Sequence, residues 1–258
     1  MIRLRRVAPG MPGRPTRRPA AVALTAAGAG LAHALPAATV LRSVRLRLFP
    51  TLSGVGRADR VALTFDDGPD PESTPRFVEV LAAHRVRATF FLLGSMVARA
   101  PEVAGDLVAA GHEVAVHGWE HTNLLRRDPI STYRDLSRAT DLIASVGGQP
   151  PRFYRPPYGV LTGPALLATR RLGLTPVLWT CWGRDWTRDA TPASVLATLR
   201  SGLGGGGTVL LHDSDCTSAP GAWRAALGAL PRLLAECADG GWRVGPLGEH
   251  GRPGRATP

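Results

Sequence analysis

A chain of 258 residues, 44 % hydrophobic and 20 % charged, carries enough apolar material for one sizeable core and excludes a disordered or fibrous polymer. The formal charge of +11 is localised: ten of the 31 basic residues, all arginine, lie in residues 1–57, and none of the 20 acidic residues does. The rest of the chain is therefore close to neutral, which excludes a nucleic-acid-binding body and assigns the basicity to the leading segment.

In chain order, that segment comes first. "RPTRRPAAVALTAAGAGLAHALPAA" has a basic start, an apolar stretch over about 20–31 and Ala32-His33-Ala34, the pattern of a secretory address. His33 and Pro36 interrupt the apolar stretch and weigh against a transmembrane span. The arginines of "LRSVRLRLF" (41–49) suit a helix on an anionic membrane surface; the alternative is an alanine-rich extension with no address function. Residues 1–57 are accordingly set apart as an arm from a body at 58–248, and 249–258 as a flexible tail.

From residue 58 strand-like and helix-like runs alternate. The expected strands are 61–65, 88–94, 113–118, 152–156, 176–180, 208–212 and 242–247. The expected helices are about 74–84, 96–110, 130–146, 162–172, 192–201 and 222–238. Several strands are nearly continuous apolar runs, so the pattern points to an α/β fold with a parallel sheet, either a (β/α) barrel or a doubly wound sheet. The Gly-rich 202–208 connects a helix to a strand and has no following helix or Lys-Ser/Thr pair, so it is not a phosphate cradle. Three cysteines, Cys181, Cys216 and Cys237, exclude a fully paired framework; a Cys181–Cys216 bridge and free thiols both remain open.

The reactive residues cluster at strand ends: Asp66 and Asp67 after the first, His117 and His121 at the third, Arg155 at the fourth, Asp185 after the fifth, His212 at the sixth. In parallel α/β folds that edge is where sites assemble. The two histidines of "HGWEH" and one carboxylate make a three-ligand N, N, O set suited to a catalytic zinc. One member of the Asp pair can then bind the cation while the other serves as general base on a water whose pKa the cation lowers; the alternatives are a turn or helix-capping carboxylate pair and ordinary core or surface histidines. His212 is free to act as general acid, and Arg155 has a natural partner in the Asp pair. Trp179, Trp182, Trp186 and Tyr158 read either as a floor for a sugar ring or as core.

Five motifs in order, "TFDDG" (64–68), His117-x-x-x-His121, "RPPYG" (155–159), "RDW" (184–186) and "LLH" (210–212), resemble the polysaccharide deacetylase family, the NodB-homology group of carbohydrate esterase family four. The resemblance covers about 58–248 and implies a distorted (β/α)7 barrel that hydrolyses N-acetyl groups on peptidoglycan or chitin-like polymers with one divalent ion, usually zinc. It implies Asp66 as catalytic base, Asp67, His117 and His121 as metal ligands, and His212 as catalytic acid. Arg155 would hold Asp66 and Asp185 would tune His212. The Tyr158 N–H would stabilise the oxyanion, while Trp186 and Leu210 line the acetyl pocket. With the leader, it implies a secreted or envelope-bound monomer acting on an N-acetylated glycan. The alternatives are a small-molecule amide or imide hydrolase on the same barrel, or an inactive glycan-binding envelope protein. The sequence departs from the family pattern twice. Gly118 replaces a Ser or Thr that would brace the histidine loop, and Trp182 stands where an Asp is common.

Overall fold

The computed structural model describes residues 27–251. The basic start of the leader and the end of the tail lie outside the described residues.

Eight strands run parallel: β1 Arg60–Asp66, β2 Thr89–Leu93, β3 Glu113–Gly118, β4 Phe153–Tyr154, β5 Thr175–Pro176, β6 Cys181–Trp182, β7 Thr208–His212 and β8 Arg243–Gly245. They form one curled sheet in the order β5-β4-β3-β2-β1-β7-β6, with β8 paired to the start of β1. This is the distorted barrel, wrapped by helices. β1, β2 and β7 are rich in Val, Leu, Phe and Thr and almost wholly buried, because both faces of the sheet are covered.

Period-2 alternation along β1 explains how the barrel is filled. Val61, Leu63 and Phe65 join the large core under the helices, with Phe77 and Phe90. Ala62 instead joins the small inner cluster of Phe91, Ala115, Val177 and Leu247, which plugs the bottom of the barrel. Thr64 is bonded from the inside by Arg155, and Asp66 stands at the mouth. The β1/β7 register pairs Asp66 with His212 directly. The helix Pro129–Gly147 is capped by Asp128, which accepts from the Ile130 and Ser131 amides, and ends at Gly148 with φ 68°.

Three local expectations change. The helix expected over 96–110 is two, Gly94–Arg99 and Pro101–Ala109, because Pro101 cannot donate to the first turn and drives Ala100 out of helical geometry (φ −141°). The strand expected over 176–180 is replaced by the two-residue strands β5 and β6 with irregular chain between them. There the carbonyls of Val177 and Leu178 accept from Arg155, and that of Trp179 from Arg45, so side chains take the place of a ladder. In the expected tail, His250 is buried, with Nε2 3.1 Å from the carbonyls of Gly54 and Gly206.

The leading segment lies against the barrel. A helix Arg42–Leu48 turns Arg45 inward to 1 % exposure while Arg47 stays exposed. The Leu178 amide donates to the Leu52 carbonyl at 2.7 Å and Thr208 Oγ1 to the Gly54 carbonyl at 2.7 Å. Among the described residues no helix is long and apolar enough to cross a membrane.

Candidate active site

The barrel mouth gathers what the strand ends carry. Asp66 ends β1 and is 3 % exposed; Asp67 follows in the left-handed region at φ 79°, a conformation that costs a non-glycine residue about 1–3 kcal/mol. His117, in β3, sets its Nδ1 2.7 Å from the Arg155 carbonyl. That contact fixes Nδ1 as the donor and leaves Nε2 as the lone-pair nitrogen. His117 Nε2 lies 3.3 Å from Asp67 Oδ1, and His121 Nε2 lies 3.7 Å from the same oxygen.

Asp67, His117 and His121 offer ligand atoms all within 4.8 Å of one another. Asp67 Oδ1 is buried without a hydrogen-bond partner, an orphaned acceptor facing two imidazole nitrogens. A divalent cation fits this donor set and would satisfy that oxygen. Burial works against the Asp67 carboxylate, but the adjacent His117 imidazole and the positive charge around it from His212 and His121 hold it well below the usual range. Burial likewise opposes charge on His117, yet Asp66 and Asp67 raise its pKa; burial and the neighbouring His117 push His121 down to about 4.

Arg155 is wholly buried and uses its whole fork. It donates to Asp66 Oδ1 at 2.6 Å, Thr64 Oγ1 at 2.8 Å, the Leu178 carbonyl at 2.9 Å and the Val177 carbonyl at 3.3 Å. One oxygen of Asp66 is thereby committed and the other lies 3.8 Å from His117 Nε2. Across the mouth Asp185 holds His212 twice, accepting from its amide at 2.7 Å and meeting Nδ1 at 3.0 Å. Burial disfavours charge on His212, but the adjacent Asp185 and the more distant Asp67 and Asp66 carry its pKa up to about 10.

A cavity of about 240 Å³ joins these groups, with Asp66, His121 and His212 on its polar side and Trp186 and Leu210 on its apolar side. Trp179, Trp182 and Trp186 line it as consecutive neighbours, with ring centroids 5.8 Å and 4.9 Å apart. They form a wall of the cavity, as the sugar-floor reading requires. Tyr158, at φ 59°, closes the His121 side with its ring 4.3 Å away. All twelve residues singled out from the sequence thus stand around one mouth. The three cysteines are free thiols.

Sequence reading missed four supporting residues. Thr217 donates to Asp67 Oδ2 and has no local sequence signal; Thr64, quoted only as part of the first motif, receives Arg155. Asp213 is wholly buried beside the Asp pair and is reached by Thr74. Its burial, and the charges of Asp67 and Asp66, raise its pKa to about 7. It also explains the glycine of "DDG", since a Cβ on Gly68 would come within 2.3 Å of Asp213 Oδ2. Asp135 is the fourth. Its Oδ2 accepts from the Trp119 amide at 2.9 Å, and Arg127 anchors its Oδ1 at 2.6 Å. The histidine loop is therefore braced from a helix rather than from position 118.

A model of the polysaccharide deacetylase family matches residues 53–177. A chitooligosaccharide deacetylase of Bradyrhizobium sp. (strain ANU 289) is 39 % identical over 198 residues, covering 72 % of this chain and 88 % of that protein. The chain belongs to the polysaccharide deacetylase family. Among solved structures of this family, a family 4 carbohydrate esterase from Streptomyces lividans in complex with acetate matches at TM-score 0.65 and 32 % identity, over 72 % of this chain and 92 % of that one. The Bc1960 peptidoglycan N-acetylglucosamine deacetylase matches at TM-score 0.70 and 26 % identity, over 78 % and 93 %.

Proposed function

We propose that the protein is a metal-dependent hydrolase that removes N-acetyl groups from amino-sugar polysaccharide, releasing acetate and a free amine. The observation that carries this reading is the convergence of Asp66, Asp67, His117, His121 and His212 on one cavity, with Asp66 and His212 register partners on adjacent strands. In this reading Asp67, His117 and His121 hold the divalent ion, for which zinc suits the N, N, O set. When bound, the ion supplies Lewis acidity that polarises the acetamide carbonyl and makes water more acidic.

The chain's own residues do the rest. Asp66, oriented by Arg155, accepts the proton of the attacking water. His212, kept charged at neutral pH by Asp185, delivers a proton to the departing amine nitrogen. The Tyr158 amide serves the carbonyl oxygen as charge develops there, its positive φ being the kind of strain found at such positions. Trp186 and Leu210 enclose the acetyl methyl. Trp179 and the exposed Trp182 also line an adjoining cavity, which favours an extended glycan over a small amide. Export or envelope association is assigned to residues 1–57 and catalysis to the body at 58–248; one chain supplies every group, so a monomer suffices.

Acetate released from chitooligosaccharides and from peptidoglycan tests the reading. Release is expected to stop on chelation, to return with zinc, and to fall by at least about 100-fold in Asp66→Asn. A zinc-loaded protein that releases acetate from neither glycan sinks it.

A further inference from the structure

A second cavity, of about 220 Å³, opens beside the first. Tyr158, Gly159, Trp179 and Trp182 line both, so the two form one continuous surface. The far side of the second cavity comes from the leading segment: Val40, Arg42 and Arg45.

Arg45 is 1 % exposed, yet no carboxylate lies within ion-pair distance of it among the described residues, and residues 1–57 contain none. It donates to the Thr39 carbonyl at 3.0 Å and the Trp179 carbonyl at 2.6 Å, while its buried Nε has no partner. Burial and the nearby positive charges of Arg155 and Arg42 lower its pKa to about 10, which marks a cation without a counter-charge. Arg42 adds a second guanidinium, anchored through Nε to the Thr180 carbonyl at 2.8 Å. Gly202 makes room for it, since a Cβ there would stand 2.9 Å from Arg42 Nη2. Buried cations are ordinarily paired, and two guanidinium groups that line one cavity with no carboxylate partner form a receptor for a carboxylate.

We propose that this cavity is an anion subsite in which Arg45 and Arg42 receive the carboxylate of a sugar ring next to the one being deacetylated. The proposal rests on the glycan-deacetylase reading and narrows it: the preferred substrate is an acidic heteropolymer rather than a neutral homopolymer. A carboxylate carried on a lactyl ether and one carried as a uronate share this chemistry.

The test uses the full-length, zinc-loaded protein and the tryptophan emission of the cavity wall. Four N-acetylglucosamine disaccharides are titrated: one whose second ring bears a lactyl ether acid, one bearing a uronate, and the methylamide of each. At low salt each acid that fits is expected to bind about tenfold or more tightly than its own amide, with the gap shrinking as salt is raised. Whichever acid shows the gap identifies the source. Arg42→Gln, and Arg45→Gln where it folds, should collapse the acid-to-amide ratio toward one; because Arg42 sits at an exposed position, its variant alone is decisive. Equal binding of both acids and their amides by the wild type overturns the subsite. So does a ratio that survives Arg42→Gln unchanged. Acetate release measured in parallel separates the two ideas. Release without acid preference removes the subsite and keeps the deacetylase; acid preference without release does the reverse.

Discussion

At the scale of single residues, position 118 shows why backbone conformation outranks family resemblance. Gly118 has φ 106°, and a Cβ there would approach Asp135 Oδ2 to 3.1 Å. Restoring a hydroxyl residue is therefore expected to harm rather than help: Gly118→Ser should lose about 1–3 kcal/mol in urea unfolding, because the brace it would supply is already provided by Asp135. Asp213 gives a second residue-level prediction, with a definite sign. Its folded pKa of about 7 lies above its ordinary value, so its contribution to stability is largest in acid and is lost as pH rises toward 7. In the metal-free protein Asp213→Asn should consequently gain on the wild type between pH 5 and pH 8, by about 2 kcal/mol. A constant difference across that range would contradict the burial argument.

Among the elements, the irregular chain between β5 and β6 is the informative one. Its carbonyls are held by Arg155 and Arg45 instead of by a neighbouring strand, so the segment that presents Trp179 to both cavities depends on two buried guanidinium groups. Arg155→Met fills similar volume but leaves Asp66 as an uncompensated buried charge and strips Val177 and Leu178 of a donor. An unfolding free energy lower by about 3–5 kcal/mol is expected, together with loss of acetate release. A stable, inactive variant would instead reduce Arg155 to a purely chemical role.

For the whole molecule, the contacts of the leading segment with the barrel bear on stability. Removing residues 1–57 deletes the Leu52 and Gly54 carbonyls that cap the Leu178 amide and the Thr208 hydroxyl, along with Arg45 and its bonds. The truncated body should melt well below the full chain, at about 1 kcal/mol for each buried bond lost. Metal removal would act at the mouth of the barrel. Both imidazoles must be unprotonated to bind, and Asp66 and Asp67 raise the pKa of His117 against the pull of burial. Zinc affinity measured by competition should thus weaken at least about tenfold from pH 7.5 to pH 5.5.

The alternation of strands and helices, and the placing of Asp66, Asp67, His117, His121, Arg155 and His212 at or just past strand ends, were determined by the sequence alone. Apolar runs and turn residues act over a strand or a helical turn, so they leave a local record. Where elements are only two residues long, as at β5 and β6, that record fades and tertiary contacts decide. The pairings across chain separation belong to the tertiary structure. Arg155 reaches Asp66 across 89 positions, and Arg45 reaches Trp179 across 134. Burial, charge balance and pKa come from such distant neighbours. For that reason Asp213 drew no notice in the sequence, and Arg45 read as one more basic residue of an arm, until the fold enclosed them.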